Sequence, residues 1–426
     1  MHYLNFGSIT HSVGDFMVEM DKLDYKLTFY IGLGFFTTGI TWALYDSYVP
    51  IFLRHYIVGD WRNLIIGFIM VLDNIAAITL QPWIGAKSDR TWTRWGRRMP
   101  YIMVGIPIAA IFFGLIPLSF NIWFLLAVIT VFNIAMATYR APVVALMPDI
   151  IPSKFRSKAN GVINLMGGVG AIYAFTVGAI LYKINPFYTF AVTSVIMVLA
   201  LLVLLIKVKE PEVPYEKDEL EKIGIIKAFK EVITSHDRSA LAILFAILSW
   251  FIGYQIISTW YTTYGVEVLK IHEADASMML TAFALTFIIF SIPAGFLASK
   301  FGRKGTIQIG LTGIIIIMMV IFFTRDYFVI LAALAIAGMF WAFVNINSIT
   351  IVWEIATPKK LGAYTGLYYF FSSLAAISGP TISGLLFDIF GIENMFLFSA
   401  IFFILAFVFM LGVKSGEVQE SERMQQ

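Results

Sequence analysis

The sequence predicts an all-α membrane protein in which twelve transmembrane helices form two six-helix halves related by a pseudo-two-fold axis. The chain is 59% hydrophobic and only 13% charged, and its mean hydropathy is +0.82. Soluble domains carry about 25% charged residues, so this chain needs a bilayer to cover its apolar surface. Twelve long apolar segments and a basic loop repeated at half the chain length support the same fold class.

The apolar segments are long enough to cross a membrane. A hydrocarbon core of about 30 Å needs a helix of about 20 apolar residues. Several segments exceed that length, which predicts tilted helices or helices that extend beyond the hydrocarbon. The predicted spans are 27–53, 63–86, 100–119, 122–148, 158–182, 187–207, 239–266, 275–299, 305–323, 327–354, 362–387 and 392–413.

A basic loop, residues 85–100, separates predicted spans two and three. Its charged side chains are Lys87, Asp89, Arg90, Arg94, Arg97 and Arg98. A shorter copy, residues 295–304, separates spans eight and nine, and Arg303 follows Arg97 by 206 residues. The repetition indicates that the chain is built from two similar halves.

A second pair of segments confirms the register of this repeat within the sequence. Residues 148–161 align with residues 353–366 at a constant offset of 205, which pairs Asp149 with Glu354. The same offset pairs a glycine at 161 with a glycine at 366. Two basic loops and two matched acids therefore occur at equivalent places in the halves.

The distribution of Lys and Arg predicts the orientation. Short loops that carry basic residues remain in the cytoplasm, and here they fall on the side of the 85–100 loop. We therefore expect both termini to be cytoplasmic, in a plasma or bacterial inner membrane. The first 26 residues lack the pattern of a cleavable signal peptide. The predicted layout is an N-terminal tail at 1–26, a first half at 27–207, a linker at 208–238, a second half at 239–413 and a tail at 414–426.

The parallel six-plus-six layout resembles the major facilitator superfamily, whose halves rock about a central site. Residues 88–90 and 94–100 also resemble the corresponding loop of sucrose transporters. That branch of proton-coupled sugar carriers neighbours the glycoside–pentoside–hexuronide cation symporters. Further matching residues are Tyr45, Val49, Pro50, Asp73, Asn74, Gln81, Pro82 and Gly85, with the segment 139–149. The resemblance implies a secondary active transporter that moves a sugar or glucoside with a proton.

The sequence departs from both family patterns at the coupling acids. Asn133 stands where plant sucrose carriers have a span-four carboxylate, and Val144 stands where they have an arginine. Arg140 lies one turn before that position. Ala77 and Gln81 occupy the places of the two cation-binding carboxylates of melibiose permeases. If this protein is coupled, another acid must serve.

Three ionisable residues lie inside predicted spans. Such residues cost about 2.5–3.5 kcal/mol on insertion scales, so each is a functional candidate. Asp46 and Asp73 are the candidate proton carriers, and Arg140 is the candidate group that senses the proton and contacts the substrate. One alternative is a static ion pair between Arg140 and either acid. For Asp46, a solvated position in a gate is a further alternative.

Aromatic faces and amides near the middle of the spans are candidates for contacts with a sugar. The predicted substrate-binding residues are Trp42, Tyr45, Asn133, Arg140, Asn164, Tyr254, Gln255, Trp341, Asn345 and Tyr368. Asn345 is the offset-205 equivalent of Arg140, so both are expected to face one cavity from opposite halves. The alternative for each aromatic ring is packing or anchoring at the membrane interface.

The charged residues at the cytoplasmic ends are predicted to form a gate. The candidates are Asp89, Arg90, Arg97, Arg98, Asp149, Arg303, Lys304 and Glu354. We expect Asp149 to meet Arg97 or Arg98, and Glu354 to meet Arg303 or Lys304. The alternative, a topological bias of positive charge, explains the cations but not the two matched acids.

The sequence argues against several other classes of protein. The chain has no cysteine, no Walker A motif and no His-Glu-x-x-His motif, so we expect no enzymatic activity, no metal and no cofactor. The expected partners are a small solute, a proton and the bilayer, without nucleic acid, and the expected state is a monomer. Two alternative functions stay open: an uncoupled facilitator or exporter of another solute, such as a lipid or drug, and a sugar sensor.

Overall fold

A computed structural model describes residues 22–152, 155–210, 232, 238–356 and 361–414. These residues are almost entirely helical, and the one isolated β-bridge among them joins Thr93 to Gly96. Most of the predicted tails and linker lies outside the described residues. Helices are expected in a bilayer, because each backbone polar group must find a partner within its own segment.

The twelve predicted spans are confirmed, and most helices extend a few residues beyond the predicted limits. We number them span 1 to span 12 in chain order. Their bounds are Tyr25–Arg54, Arg62–Asp89, Met99–Leu118, Ile122–Ile150, Lys158–Ile184, Pro186–Lys207, Ser239–Glu267, Glu273–Phe301, Arg303–Phe323, Tyr327–Ile355, Gly362–Phe390 and Ile392–Leu411.

Two spans of the first half are not continuous α-helices. Span 2 is divided at Val71 into helices of nine and eighteen residues. Span 5 contains a π-helical turn at Ala174–Gly178, and the hydroxyl of Thr176 donates to the carbonyl of Ile172 within it. Such turns are rare in proteins, and those that occur are often found at functional sites. Here the turn contains Phe175, which lines the central cavity described below.

The pattern of helix packing repeats between the halves. Span 1 packs against span 5, span 2 against span 4 and span 3 against span 6. In the second half, span 7 packs against span 11, span 8 against span 10 and span 9 against span 12. Each pair in the first half has its equivalent six spans later, as the pseudo-two-fold relation requires. The halves meet through spans 1, 2 and 5 on one side and spans 7, 8 and 11 on the other.

Glycines bring the backbones of spans 1 and 5 close together. A Cβ atom on Gly39 would overlap the carbonyl oxygen of Gly167, and one on Gly170 would overlap the carbonyl oxygen of Phe36. Small residues at such a crossing allow the direct helix contact that stabilises membrane bundles. By contrast, a Cβ on Gly161 would meet nothing within 4 Å.

We expect Gly39→Ala and Gly170→Ala each to destabilise the protein, because the added methyl group must push spans 1 and 5 apart. Overpacking of this kind costs about 1–3 kcal/mol. Thermal unfolding of the purified protein in detergent should show a lower Tm for both variants. Gly161→Ala is the matched control and should not lower the Tm. Equal melting of all three variants would contradict the close approach.

Candidate functional site

A cavity of about 360 Å³ lies between the two halves. Spans 1 and 5 line it from the first half, and spans 7, 8, 9, 10 and 12 line it from the second. Most of its wall is aromatic or aliphatic. Its polar side chains, apart from the Trp and Tyr rings, are Asp46, Ser47, Ser258 and Asn345. The volume lies in the range of pockets that bind small organic molecules, about 300–1,000 Å³.

Asp46 is the one acidic side chain that lines this cavity in the described part of the chain. The hydroxyl of Ser258 lies 3.5 Å from Oδ2 of Asp46 and donates to it. This contact joins span 1 to span 7, and therefore one half to the other. A charged carboxylate only accepts hydrogen bonds, whereas a protonated one also donates, so a proton on Asp46 changes the bonds that it can form.

Two aromatic rings form a flat platform on the second half. Tyr254 and Trp341 stack with their centroids 4.7 Å apart and their planes 5° apart. Both line the cavity, as do Trp42 and Asn345. Four of the ten predicted substrate-binding residues therefore line the same cavity. The platform presents an apolar face, which suits the apolar side of a ring-shaped solute.

Tyr45, Asn133 and Tyr368 lie behind the cavity wall. The ring of Trp42 rests edge-on against Tyr45 at 5.5 Å, and the amide of Asn133 donates to the Tyr45 hydroxyl at 3.3 Å. Tyr368 shares a hydrogen bond of 2.9 Å with Ser348. These side chains are buried, so they support the wall and do not line the described cavity.

Asn164 and Gln255 also lie away from the cavity. Asn164 is exposed, and its amide donates to the carbonyl of Asn160 one turn earlier at 2.9 Å. Gln255 packs at the contact of spans 7 and 11, where a Cβ on Gly379 would touch its side chain. Sequence reasoning instead missed Ser258, because a serine in an apolar helix has no signal of its own until its partner is known.

Asp73 and Arg140 are half-buried and within electrostatic range of each other. They form no direct ion pair within the described residues, so the static pair is not present in this conformation. The carboxylate of Asp73 instead accepts from the side chain of Asn74 at 2.8 Å. Asp46 and Asp73 are also within electrostatic range, so a proton on one acid affects the other.

The basic loop folds back onto a buried carboxylate. Arg97 donates to both oxygens of Asp149 at 3.1 and 2.5 Å, and Arg98 donates to the same residue at 2.8 Å. Arg98 also pairs with Asp89. Burial alone would lower the pKa of Arg98, but the carboxylates of Asp149 and Asp89 raise it above the usual value for arginine. The pairs tie together the ends of spans 2, 3 and 4.

Glu210 fixes the other side of this loop. Its carboxylate accepts from the backbone N–H groups of Arg97, Arg98 and Met99 at 2.8, 2.9 and 2.7 Å. Gly96 has φ +99°, and a Cβ there would overlap the Glu210 side chain. Anions are favoured at the N-terminus of a helix, where the first N–H groups have no acceptor within the helix. The sequence predicted only a linker at 208–238, and this contact was not foreseen.

The second half repeats the arrangement in a simpler form. The sequence predicted that Glu354 meets Arg303 or Lys304, and Nε of Arg303 lies 2.9 Å from Oε1 of Glu354. Lys304 instead donates to the carbonyl of Val413 at 2.5 Å, and Arg90 is exposed. The ion pairs named at this end, Arg97–Asp149, Arg98–Asp149, Arg98–Asp89 and Arg303–Glu354, each join described residues of one half. We call this end of the bundle the basic end.

The end far from the basic loop carries a network that sequence reasoning did not predict. Glu267 of span 7 pairs with Arg54 of span 1, and it accepts from Arg62 at 3.1 Å. Arg54 also donates to the side-chain oxygen of Asn63 at 2.6 Å. Arg54, Arg62 and Glu267 lie at the ends of spans 1, 2 and 7. No role was predicted for them from the sequence. The network connects the two halves at this opposite end.

Asp388 completes the network by capping span 2 from the other half. Its carboxylate accepts from the backbone N–H groups of Asn63 and Leu64 at 3.0 and 2.8 Å, and from the Asn63 amide at 2.7 Å. A side chain that satisfies the free N–H groups of a helix usually comes from the same segment. We call the five residues Arg54, Arg62, Asn63, Glu267 and Asp388 the latch.

Comparison with known proteins identifies the family. The sequence profile of the Major Facilitator Superfamily matches residues 31–274 and 266–424, which together cover most of the chain. The chain belongs to the Major Facilitator Superfamily. The family predicted from the two basic loops and the repeat is therefore confirmed, and the protein is an integral membrane transporter of this superfamily.

Individual relatives of this facilitator are distant. A multidrug resistance protein of Proteus mirabilis is 28% identical over 163 residues, which cover 37% of this chain and 40% of that protein. A general alpha-glucoside permease of Schizosaccharomyces pombe is 24% identical over 291 residues, which cover 59% of this chain and 51% of the permease. The matches thus span about half or less of these relatives.

The fold of this facilitator is shared with solved transporters. A bacterial homologue of the human lysosomal transporter Spinster, in an inward-facing and unoccupied conformation, superposes with a TM-score of 0.73. The alignment covers 91% of this chain and 96% of that structure at 16% sequence identity. At this identity the likeness establishes the fold alone.

We expect Asp149→Asn to destabilise the facilitator, because Arg97 and Arg98 would remain buried with their shared carboxylate gone. Breaking one side of a buried ion pair costs about 3–5 kcal/mol. Thermal unfolding in detergent measures the loss. Asp275→Asn is the matched control: its partner Lys183 is 56% exposed, and surface pairs contribute about 0–1 kcal/mol. A Tm loss for Asp149→Asn no larger than that of the control would refute the buried network.

Proposed function

We propose that this facilitator moves a sugar or glucoside together with a proton by alternating access. The observation that carries the proposal is the position of Asp46, an acid on span 1 that lines the central cavity and contacts Ser258 on span 7. A titratable group at the boundary of the two halves can couple proton binding to their relative movement. Acids inside transporter helices commonly serve as such proton relays.

The proposed cycle follows from the bonds available to Asp46. When charged, the carboxylate accepts from Ser258 and helps to hold spans 1 and 7 together. When protonated, it loses its charge and accepts more weakly, because hydrogen bonds to an ionised group are roughly twice as strong as those between neutral groups. Asp73 is a second proton carrier within electrostatic range, and Arg140 senses its charge. Protonation thereby favours separation of the halves and exposure of the cavity to the other side.

The cavity wall supports a ring-shaped solute. The stacked pair Tyr254 and Trp341 offers an apolar face, and Asn345 offers an amide that can bond a hydroxyl. Asp46 on span 1 and Ser258 on span 7 provide further hydrogen-bonding groups. A glucoside combines hydroxyls with an apolar ring face and an apolar substituent, which fits this mixture. The similarity to an alpha-glucoside permease agrees with this substrate class.

The charged networks support a gating role for both ends. The latch joins the halves at the opposite end, whereas the named pairs among the described residues of the basic end lie within one half. Contacts between the halves hold the opposite end closed, and pairs within a half leave the halves free to separate at the basic end. With the basic end in the cytoplasm, as the positive charges predict, the conformation is inward-facing. The predicted gate residues Arg97, Arg98 and Asp149 then act by keeping their own half rigid.

A second substrate class is favoured by one observation, the largely aromatic and aliphatic lining of the cavity. Such a wall also suits an amphipathic solute, such as a lipid or a drug, and the similarity to a multidrug resistance protein points the same way.

The two classes differ in what they need from Asn345. Asn345→Leu should abolish transport of a glucoside that forms a hydrogen bond with this amide, and it should leave transport of an amphipathic dye intact.

We expect Asp46→Asn to abolish proton-driven accumulation while substrate exchange persists. The variant keeps a polar group of the same size next to Ser258 but cannot release a proton, so accumulation should fall at least about tenfold. Purified protein in proteoliposomes, with an imposed pH gradient, is assayed with a radiolabelled glucoside and an amphipathic dye. Counterflow without a gradient tests whether binding and rocking survive.

Asp60→Asn, at an exposed acid in the loop between spans 1 and 2, is the control for this experiment and should retain accumulation. Normal accumulation by Asp46→Asn would disprove coupling at this residue. If Asp73→Asn alone abolished accumulation under the same conditions, the proton would belong to span 2. Uptake that is insensitive to an ionophore in the unsubstituted protein would disprove proton coupling altogether.

We expect a Glu267→Gln and Asp388→Ala double substitution to open the opposite end. The latch would lose its two acids, and the population of conformations open at that end should rise. The chain has no cysteine, so Ala43→Cys in the cavity wall provides a single labelling site. Its labelling by a membrane-impermeant maleimide added at the opposite end should accelerate at least about threefold. An unchanged rate would show that the latch does not hold this end closed.

A further inference from the structure

The cations of the basic loop fall into two groups. Arg97 and Arg98 are buried and paired with acids. Lys87, Arg90 and Arg94 are exposed, and within the described residues they form no ion pair. The buried group is neutralised by its partners and contributes little to the field outside the protein. The exposed group leaves three positive charges on the surface beside the ends of spans 2 and 3.

Three tryptophans share the surface of these cations. Trp83, Trp92 and Trp95 are 60%, 55% and 47% exposed. Lys87 lies 5.0 Å above the ring of Trp83, and Arg94 lies 5.3 Å above the ring of Trp95. Tryptophan is enriched where membranes meet water, because its ring is apolar and its N–H is polar. Exposed tryptophans beside exposed cations are therefore typical of a surface at the level of lipid headgroups.

The loop presents this surface in a fixed shape. The backbones of Thr93 and Gly96 exchange two hydrogen bonds of 3.2 and 3.0 Å, and the hydroxyl of Thr93 accepts from the N–H of Trp95. Arg94 and Trp95 form the tip of this tight turn. Glu210 holds the following residues from the other side. The side chains at the tip therefore need not be ordered from a flexible loop when a ligand binds.

We propose that this surface, formed by Trp83, Lys87, Arg90, Trp92, Arg94 and Trp95, binds the headgroups of anionic lipids. The loop connects two membrane spans, so it lies at headgroup depth in either orientation of the chain. Basic residues close to an anionic leaflet are attracted to it over about one Debye length, and tryptophan rings insert among the headgroups. The proposal does not depend on the substrate or on proton coupling.

The alternative is that the cations serve only to orient the chain in the membrane. That role needs positive charge on one side of the membrane, but it needs neither three exposed tryptophans nor a fixed turn. It also predicts that any three cations at the basic end are equivalent. A lipid-binding surface predicts that the three loop cations differ from the others at the same end, which an experiment can test.

The test compares two triple variants of the full chain by native mass spectrometry in detergent. The first is Lys87→Gln, Arg90→Gln and Arg94→Gln. The matched control is Lys158→Gln, Lys207→Gln and Lys300→Gln, three exposed cations near the basic end. Titration with phosphatidylglycerol should show at least about tenfold weaker binding for the loop variant, and a change of about twofold or less for the control. Binding of phosphatidylcholine should not change.

A second variant separates the role of the rings from that of the charges. Trp92→Ser and Trp95→Ser keep all three exposed cations. In proteoliposomes, brominated phosphatidylglycerol should quench the tryptophan fluorescence of the unsubstituted protein more than brominated phosphatidylcholine does, and this difference should shrink in the variant. An unchanged Tm verifies that each variant is folded. Equal losses in the loop variant and the control, or binding of both lipids alike, would overturn the proposal.

Discussion

The cost of placing charge in hydrocarbon determines where polar groups lie in this transporter. The spans are helical because each backbone group must be satisfied within its segment, and most charged side chains are confined to the two ends. Among the described residues, Asp46 lines the cavity between the halves, and Asp73 and Arg140 are half-buried within electrostatic range of each other. The charge of Asp46 has access to the cavity and to Ser258, and the carboxylate of Asp73 accepts from Asn74, which offsets part of the cost of these charges.

The two ends use charge in different ways. At the basic end, Asp149 pairs with two arginines of its own half, and this buried cluster fixes the ends of spans 3 and 4 relative to each other. At the opposite end, Glu267 and Asp388 accept hydrogen bonds from the other half. Contacts within a half survive a rocking movement, whereas contacts between halves must break in each cycle. We therefore expect the half-to-half contacts to be individually replaceable and the internal ones to be essential for stability.

The sequence predicted the fold well for two reasons: the length of each apolar segment is a local signal, and the 205-residue repeat relates the two halves without knowledge of their packing. The same repeat predicted the partners of Arg97 and Arg303, since each acid lies at a fixed place in its half. The cavity was predicted only in part: Trp42, Tyr254, Trp341 and Asn345 line it, but Tyr45 and Asn133 stand one layer behind. The latch was not predicted, because the pairing of Asp388 with span 2 depends on how the halves meet in one conformation.

Glu210 has a consequence for how the chain can be divided. The residue follows span 6 and yet it holds the first turn of span 3, so the structural unit of the first half ends after the start of the predicted linker. A split protein made by expressing the halves as separate fragments should therefore be cut beyond Glu210. A cut directly after Lys207 would leave three amide groups at the start of span 3 without their carboxylate. The functional boundary of the half is thus set by a hydrogen-bond partner and not by the last apolar residue.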